Sequence, residues 1–215
     1  MDEYSKTYGS LGSKLEPSKQ NITELIVILS NAMLTTEFLL RNQYSKYGSW
    51  LKDQDPQTLH DYFGYTMGQE AIDLLIDQLV SNSKRNHFLV AKINGRWAGT
   101  IHIATHEQEV EFGVIVSLLY RKQGIANRMM DEAITWARNR YYKDLFMHCI
   151  SWNRPIKHLC QKHGLVPRNM MGDSEVNLIL QPPTPATFFK EQMIVANRNW
   201  LSMSPFHQLG LAFRT

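Results

Sequence analysis

The run Val114-Ile-Val-Ser-Leu-Leu-Tyr-Arg-Lys-Gln-Gly-Ile-Ala126 leads a β-rich apolar stretch through a small-residue turn into a helical pattern. Such a turn can bind an anion. Gly124 lacks the Cβ that would hold a ligand off the backbone, and Ala126 keeps the next position small, so the first amides of the helix can point at a phosphate. Arg121 and Lys122 add positive charge beside them. Upstream, Glu109 and Glu111 share one face of the strand, because alternate residues of a strand point the same way. Cys149 and Cys160 are the only cysteines. They are too few for a disulfide scaffold and form no C-x-x-C pair, so a reducing, cytoplasmic setting is expected.

The cradle needs a strand before it and a helix behind it, and the flanking sequence supplies both. His87 to Ile93 and Arg96 to Ile103 read as two strands joined by Asn94-Gly95, the signal of a type I′ hairpin turn. A third strand, Val110 to Val116, turns fully apolar as a buried strand does. Behind Gly124, Ile125, Met129, Ala133, Trp136 and Ala137 mark one face of a helix to about Arg140, and Leu145 to Ile150 is a short strand. Strand, helix, strand implies a right-handed crossover. Asn153 can cap the next helix, with Pro155 in its first turn, Ile156, Leu159, Cys160 and His163 facing inward, and Gly164 at its end. Val176 to Leu180 reads as a late strand.

Further out, residues 1–20 are rich in Ser, Gly, Lys and Tyr and read as an arm, with a short strand near Leu11 to Glu16. Asn21 and Glu24 make a capping pair for a first helix carrying Ile22, Leu25, Ile26, Leu29, Ala32 and Met33. Asp55-Pro56 starts another, and Ala71, Leu74, Leu75, Gln78 and Leu79 are expected to share one face of a third. After Gln181-Pro-Pro-Thr-Pro185, a helix is expected from about Thr187 to Ser202. The organisation is an arm at 1–20, a domain at 21–180 and an extension at 181–215.

Bulk properties exclude more than they name. The formal net charge of +3 comes from scattered residues, without the basic run that nucleic-acid binding by counterion release requires. Ile22 to Leu40, the most apolar stretch, is broken by Glu24, Asn31 and Glu37, so no membrane span is expected. Nor does the N-terminus show the basic-then-apolar order of a signal peptide. His102 and His106 alternate with apolar residues and are expected to face solvent; no residue set has metal-ligand spacing.

With these elements in order, the chain resembles the GNAT superfamily of acetyl-CoA-dependent N-acetyltransferases. Arg121-Lys-Gln-Gly124-Ile-Ala126 fits the family's Q/R-x-x-G-x-G/A fingerprint, and Asn153-Arg-Pro-Ile-Lys-His-Leu-Cys-Gln-Lys-His-Gly-Leu165 resembles its second motif. The likeness spans roughly Leu11 to Leu180. It implies an α/β (α+β) GNAT fold, a mixed twisted sheet of about six to seven strands flanked by helices. It also implies acetyl transfer from acetyl-CoA to a primary amine, by direct attack in a ternary complex.

The resemblance assigns roles residue by residue. Coenzyme A pyrophosphate would lie on the turn formed by Arg121, Lys122, Gln123, Gly124, Ile125, Ala126 and Asn127, at a helix N-terminus whose dipole favours anions. The pantetheine arm would run beside Val114, Ile115 and Val116 where the strands splay, with strand amides as an oxyanion site. Asn153 would reach the coenzyme from the other side, unless it is only a helix cap. Glu111, or else Glu109, would be the base, although both also suit a solvated strand face. Relatives carry a Tyr as acid where this chain has Cys160; Tyr120, His148 and His158 stand as alternatives. That departure, with the polar and aromatic extensions, leaves a second reading: a GNAT-fold component of a larger assembly, such as a viral particle. Partners through residues 1–20 and 181–215 would follow from it. The acceptor groove is expected from 44–65 and 166–176.

Overall fold

Phe88, Leu89, Val90 and Ala91 are all fully buried, as consecutive residues can be only in a strand covered on both faces. The computed structural model describes residues 34–149, 152–168 and 174–203. The arm at 1–20, the short strand near Leu11 and the helix expected from Asn21 lie outside the described residues.

Among the described residues, seven strands form one sheet in the order β1-β2-β3-β4-β5-β7-β6. They are β1 (Leu34–Phe38), β2 (Asn86–Ile93), β3 (Arg96–His106), β4 (Glu109–Val116), β5 (Asp144–Cys149), β6 (Val166–Arg168) and β7 (Ser174–Ile179). Neighbours run antiparallel except β4 and β5, which are parallel. The helices are α1 (Tyr44–Lys52), α2 (Pro56–Phe63), α3 (Gln69–Ser81), α4 (Ile125–Asn139), α5 (Arg154–Lys162) and α6 (Pro185–Met203). The β2–β3 turn is the expected one, with Asn94 and Gly95 at φ 50° and 76°, both in the left-handed region a type I′ turn requires.

Alternation in β2 divides the core in two. Leu89 and Ala91 join Met129, Ala133, Trp136, Leu159 and Cys160 under α4 and α5. Phe88 and Val90 join Tyr47, Leu51, Leu59, Ile72 and Ile76 under α1 to α3. The face of α3 differs from the expected one. Ile72, Ile76 and Leu79 are buried while Leu74 is 66% exposed, because Ile76 packs directly onto Gly48 of α1. Strand β1 was not expected from the sequence, and β6 falls in the stretch 166–176 expected to help form the acceptor groove.

The extension is pinned to the domain by polar contacts at the end of α4. Arg138 donates to the carbonyls of Gln181 and Pro182 at 2.9 Å each. Asn139 donates to the Thr187 carbonyl and the Glu191 carboxylate, which Arg140 also meets at 3.0 Å. These contacts hold α6 against α4 and β1.

Glu132 of α4, 7% exposed, accepts from Thr36 of β1 at 2.5 Å and pairs with Arg128 at 3.4 Å. Its replacement in Glu132→Ala leaves the buried Thr36 hydroxyl without its acceptor. The expected cost is about 2 kcal/mol of stability, read from the denaturant midpoint; a change below about 0.5 kcal/mol, the usual range of a surface substitution, would count against this tether.

Candidate functional site

Parallel pairing of β4 with β5 stops early. Glu109, Val110 and Glu111 face Asp144, Leu145 and Phe146, yet β4 continues to Val116 and β5 to Cys149. From Phe112 onward the two strands diverge, and the β4 edge carries backbone groups that β5 does not meet. Val114 and Val116 lean on the α4-side core, while Ile115, 3% exposed, packs under α1 to α3.

The same strand delivers the cradle. Past Val116 a 3-10 turn at Leu118–Tyr120 and two left-handed residues, Lys122 (φ 62°) and Gly124 (φ 75°), reverse the chain into α4. A Cβ on Gly124 would meet no protein atom within 4 Å, so the backbone lies open to solvent there. The first backbone bond of the helix runs from Arg128 N–H to the Gly124 carbonyl at 3.0 Å. Ahead of it, the amides of Ile125, Ala126 and Asn127 are the free donors of a helix start. Ile125 and Met129, 2% and 0% exposed, fix that start against the sheet.

Arg121 does not join the cradle. Its guanidinium donates to the Val116 carbonyl at 3.2 Å and to Thr58 Oγ1 at 2.6 Å. Thr58 in turn donates both its hydroxyl and its amide to Asp55, the cap of α2. Arg121 therefore braces α2 against the end of β4, and the nearby charge is Lys122. Gln123 turns to the Leu119 carbonyl, and the Asn127 side chain bonds His163 at 3.1 Å, tying α4 to the end of α5.

Where the strands part, a cleft of about 240 Å³ opens between α2, β3, β4, β5 and the start of α5. Glu111, Gly113, Asp61, Tyr62, His102 and Asn153 supply its polar and backbone wall. Glu111 sits at the last β4–β5 pair, 3.7 Å from His148. Asn153 accepts from the Ile156 amide at 3.2 Å and donates to the Asp61 carbonyl at 3.1 Å, so it caps α5 and locks it to α2.

Three further expectations are corrected. Glu109 lies two residues back along β4, exposed beside His106 and Asp144, and does not line the cleft. Cys160, 1% exposed, is in the core, 3.4 Å from the Cys149 sulfur and 3.8 Å from Met147; the Cys149 contact and burial push its thiol up. Its helix turns it under the sheet, so it behaves as a small hydrophobe. His102 faces inward, stacked on Phe88 and bonded to Asn86 at 2.7 Å, and burial pushes it down to about 4. Of the alternative acids, Tyr120 packs on the core and His158 is exposed outside the cleft.

Asp61 belongs to the acidic residues of 44–65 expected to suit a cationic acceptor, whereas nothing in the sequence points to Tyr62. Both come from the last turn of α2, and only the docking of that helix on β4 brings them to Glu111. The Tyr62 hydroxyl lies 2.5 Å from where a Gly113 Cβ would be. The buried Tyr47 hydroxyl is its neighbour on the far side.

A family model described as "Acetyltransferase (GNAT) family" matches residues 46–165. The chain belongs to the GNAT acetyltransferase family. Solved structures agree on the GNAT fold. An acetyltransferase of the GNAT family from Streptococcus pneumoniae is 17% identical, with a TM-score of 0.55 over 69% of this chain and 99% of that one. Spermidine N-acetyltransferase from Vibrio cholerae, solved with CoA and spermine, is 12% identical, with a TM-score of 0.56 over 70% and 97%. PaiA N-acetyltransferase from Thermoplasma acidophilum, in complex with coenzyme A, is 14% identical, with a TM-score of 0.53 over 68% and 98%. No curated protein matches the sequence of this GNAT chain.

Proposed function

We propose that the chain transfers an acetyl group from acetyl-CoA to a primary amine by direct attack within a ternary complex. The observation that carries this is the fork of β4 from β5 at Glu111, with the open helix start one strand-length away. Bound acetyl-CoA supplies an activated thioester. The amides of Ile125, Ala126 and Asn127, with Lys122, would hold its pyrophosphate, and the unpaired edge of β4 would hold its arm. The empty space at Gly124 and the free strand edge fit such a ligand.

Glu111 takes the proton of the attacking amine, directly or through water. Asp61 and Glu111 put two carboxylates around the cleft, a field that draws a cationic amine. Spermine is the first acceptor to try, since a structural neighbour was solved with it. A reducing, cytoplasmic setting goes with this reading, since two cysteines are too few for a disulfide scaffold. No described residue beyond Ile156 lines the cleft, so the described part of the extension stays out of it.

The test is a thermal melt with increasing acetyl-CoA. A ligand that binds only the native state stabilises it by RT ln(1 + [L]/Kd), about 2.7 kcal/mol at one hundred times Kd. The midpoint should climb with the logarithm of concentration, and no movement at millimolar acetyl-CoA would overturn the reading.

A further inference from the structure

We infer that the Tyr62 hydroxyl is the hydrogen-bond donor that meets the sulfur departing from the acetyl group, the task the family pattern would give to residue 160. This rests on the acetyl-CoA reading above. The core position of Cys160 leaves that task to the protonated groups that line the cleft. His102 spends its Nε2 on Asn86, Asn153 is held in place by Ile156 and Asp61 and offers only a neutral, very weakly acidic amide N–H, and His148 is an exposed side chain beside Glu111. Tyr62 remains. It lines the cleft, its hydroxyl abuts Gly113, and among the described residues no hydrogen bond engages its proton.

Two neighbours fix where that hydroxyl is. Tyr47, 1% exposed, is its buried neighbour behind and limits where it can go. In front, it lies against the bare α-carbon of Gly113, where a Cβ would come within 2.5 Å. The contact is at the open stretch of β4, two residues past Glu111. Burial pushes the phenol up to about 12, so the group keeps its proton and acts as a fixed dipole.

In the step itself the C–N bond forms and the C–S bond breaks. The amine proton passes to Glu111 and on to solvent. The electron pair of the broken bond stays on sulfur, which leaves as a thiolate accepting from Tyr62 O–H. A charge-assisted hydrogen bond of this kind is about twice as strong as a neutral one.

Because the acceptor is not needed, binding alone tests the assignment. Coenzyme A has a free thiol that ionises near the ordinary thiol value of about 8.5, and acetyl-CoA has none. Calorimetric titration of the wild type at about pH 7 and about pH 10 should show the coenzyme A to acetyl-CoA affinity ratio rising roughly tenfold. In Tyr62→Phe the ratio should stay flat. A rise that survives in Tyr62→Phe, or is absent in the wild type, overturns the inference. Gly113→Ala crowds the same hydroxyl from the opposite side and should flatten the ratio too, which keeps the test open if Tyr62→Phe folds poorly. Binding of neither ligand by the wild type would instead sink the acetyl-CoA reading, and this inference with it.

Discussion

In Glu111→Gln, acetyl transfer is expected to fall by about two to three orders of magnitude, the range for losing a positioned general base, while acetyl-CoA still raises the melting midpoint as in the wild type. Glutamine keeps the shape and the strand register but cannot take a proton. Glu111 is the carboxylate at the fork: it faces Phe146 at the last β4–β5 pair and lines the cleft. Glu109 is its internal control, because it shares the strand face yet lies outside the cleft. Glu109→Gln should leave the rate within about twofold, the size of a surface effect. The comparison uses initial rates with any amine the wild type acetylates, spermine first. A collapse in Glu109→Gln with normal Glu111→Gln would move the base to the far end of the strand.

What the sequence could reveal was whatever is decided locally. Asn94-Gly95 needs only its own backbone preference to make a hairpin, and Asp55-Pro56 only its own cap. The cradle was legible for the same reason, since Gly124 reports a backbone conformation. Contacts made by docking were not legible. Arg121 has the right charge for a phosphate, but Thr58 and the Val116 carbonyl are 63 and 5 residues away in sequence and claim it first. Cys160 was expected inward and is inward; whether inward means core or cleft depends on how α5 rolls over Met147. Tyr62 reaches the site only because α2 lies across β4 at Gly113. Strand β1 was hidden differently, since its five residues close an apolar stretch whose earlier part has helical spacing, and β6 has only three residues.

Gly124→Val is expected to abolish acetyl-CoA binding while leaving a folded protein. The residue sits at φ 75° and ψ 1°, where a β-branched side chain is strained by roughly 1–3 kcal/mol. Since an added Cβ meets no protein atom within 4 Å, there is no packing clash to add to that strain. The apo midpoint should therefore drop by roughly 2–12 °C, at about 2–4 °C per kcal/mol for a chain of this size, and the protein should stay folded. The coenzyme meets two penalties together. The valine side chain occupies the space a pyrophosphate would need, and any relief of the strain swings the amides of Ile125 and Ala126 away from their common direction. Loss of at least about a hundredfold in affinity follows if two of the charge-assisted bonds go, each counted at about 1.5 kcal/mol. Gly124→Asn separates the two causes, because asparagine tolerates the left-handed region but still adds bulk: binding should weaken with little change in the apo midpoint. Lys122→Ala removes one exposed charge and should cost only a few-fold, shrinking further as salt is raised. If Gly124→Val bound acetyl-CoA as the wild type does, the helix start would not be the anion site, and the fork at Glu111 would have to hold the ligand without it.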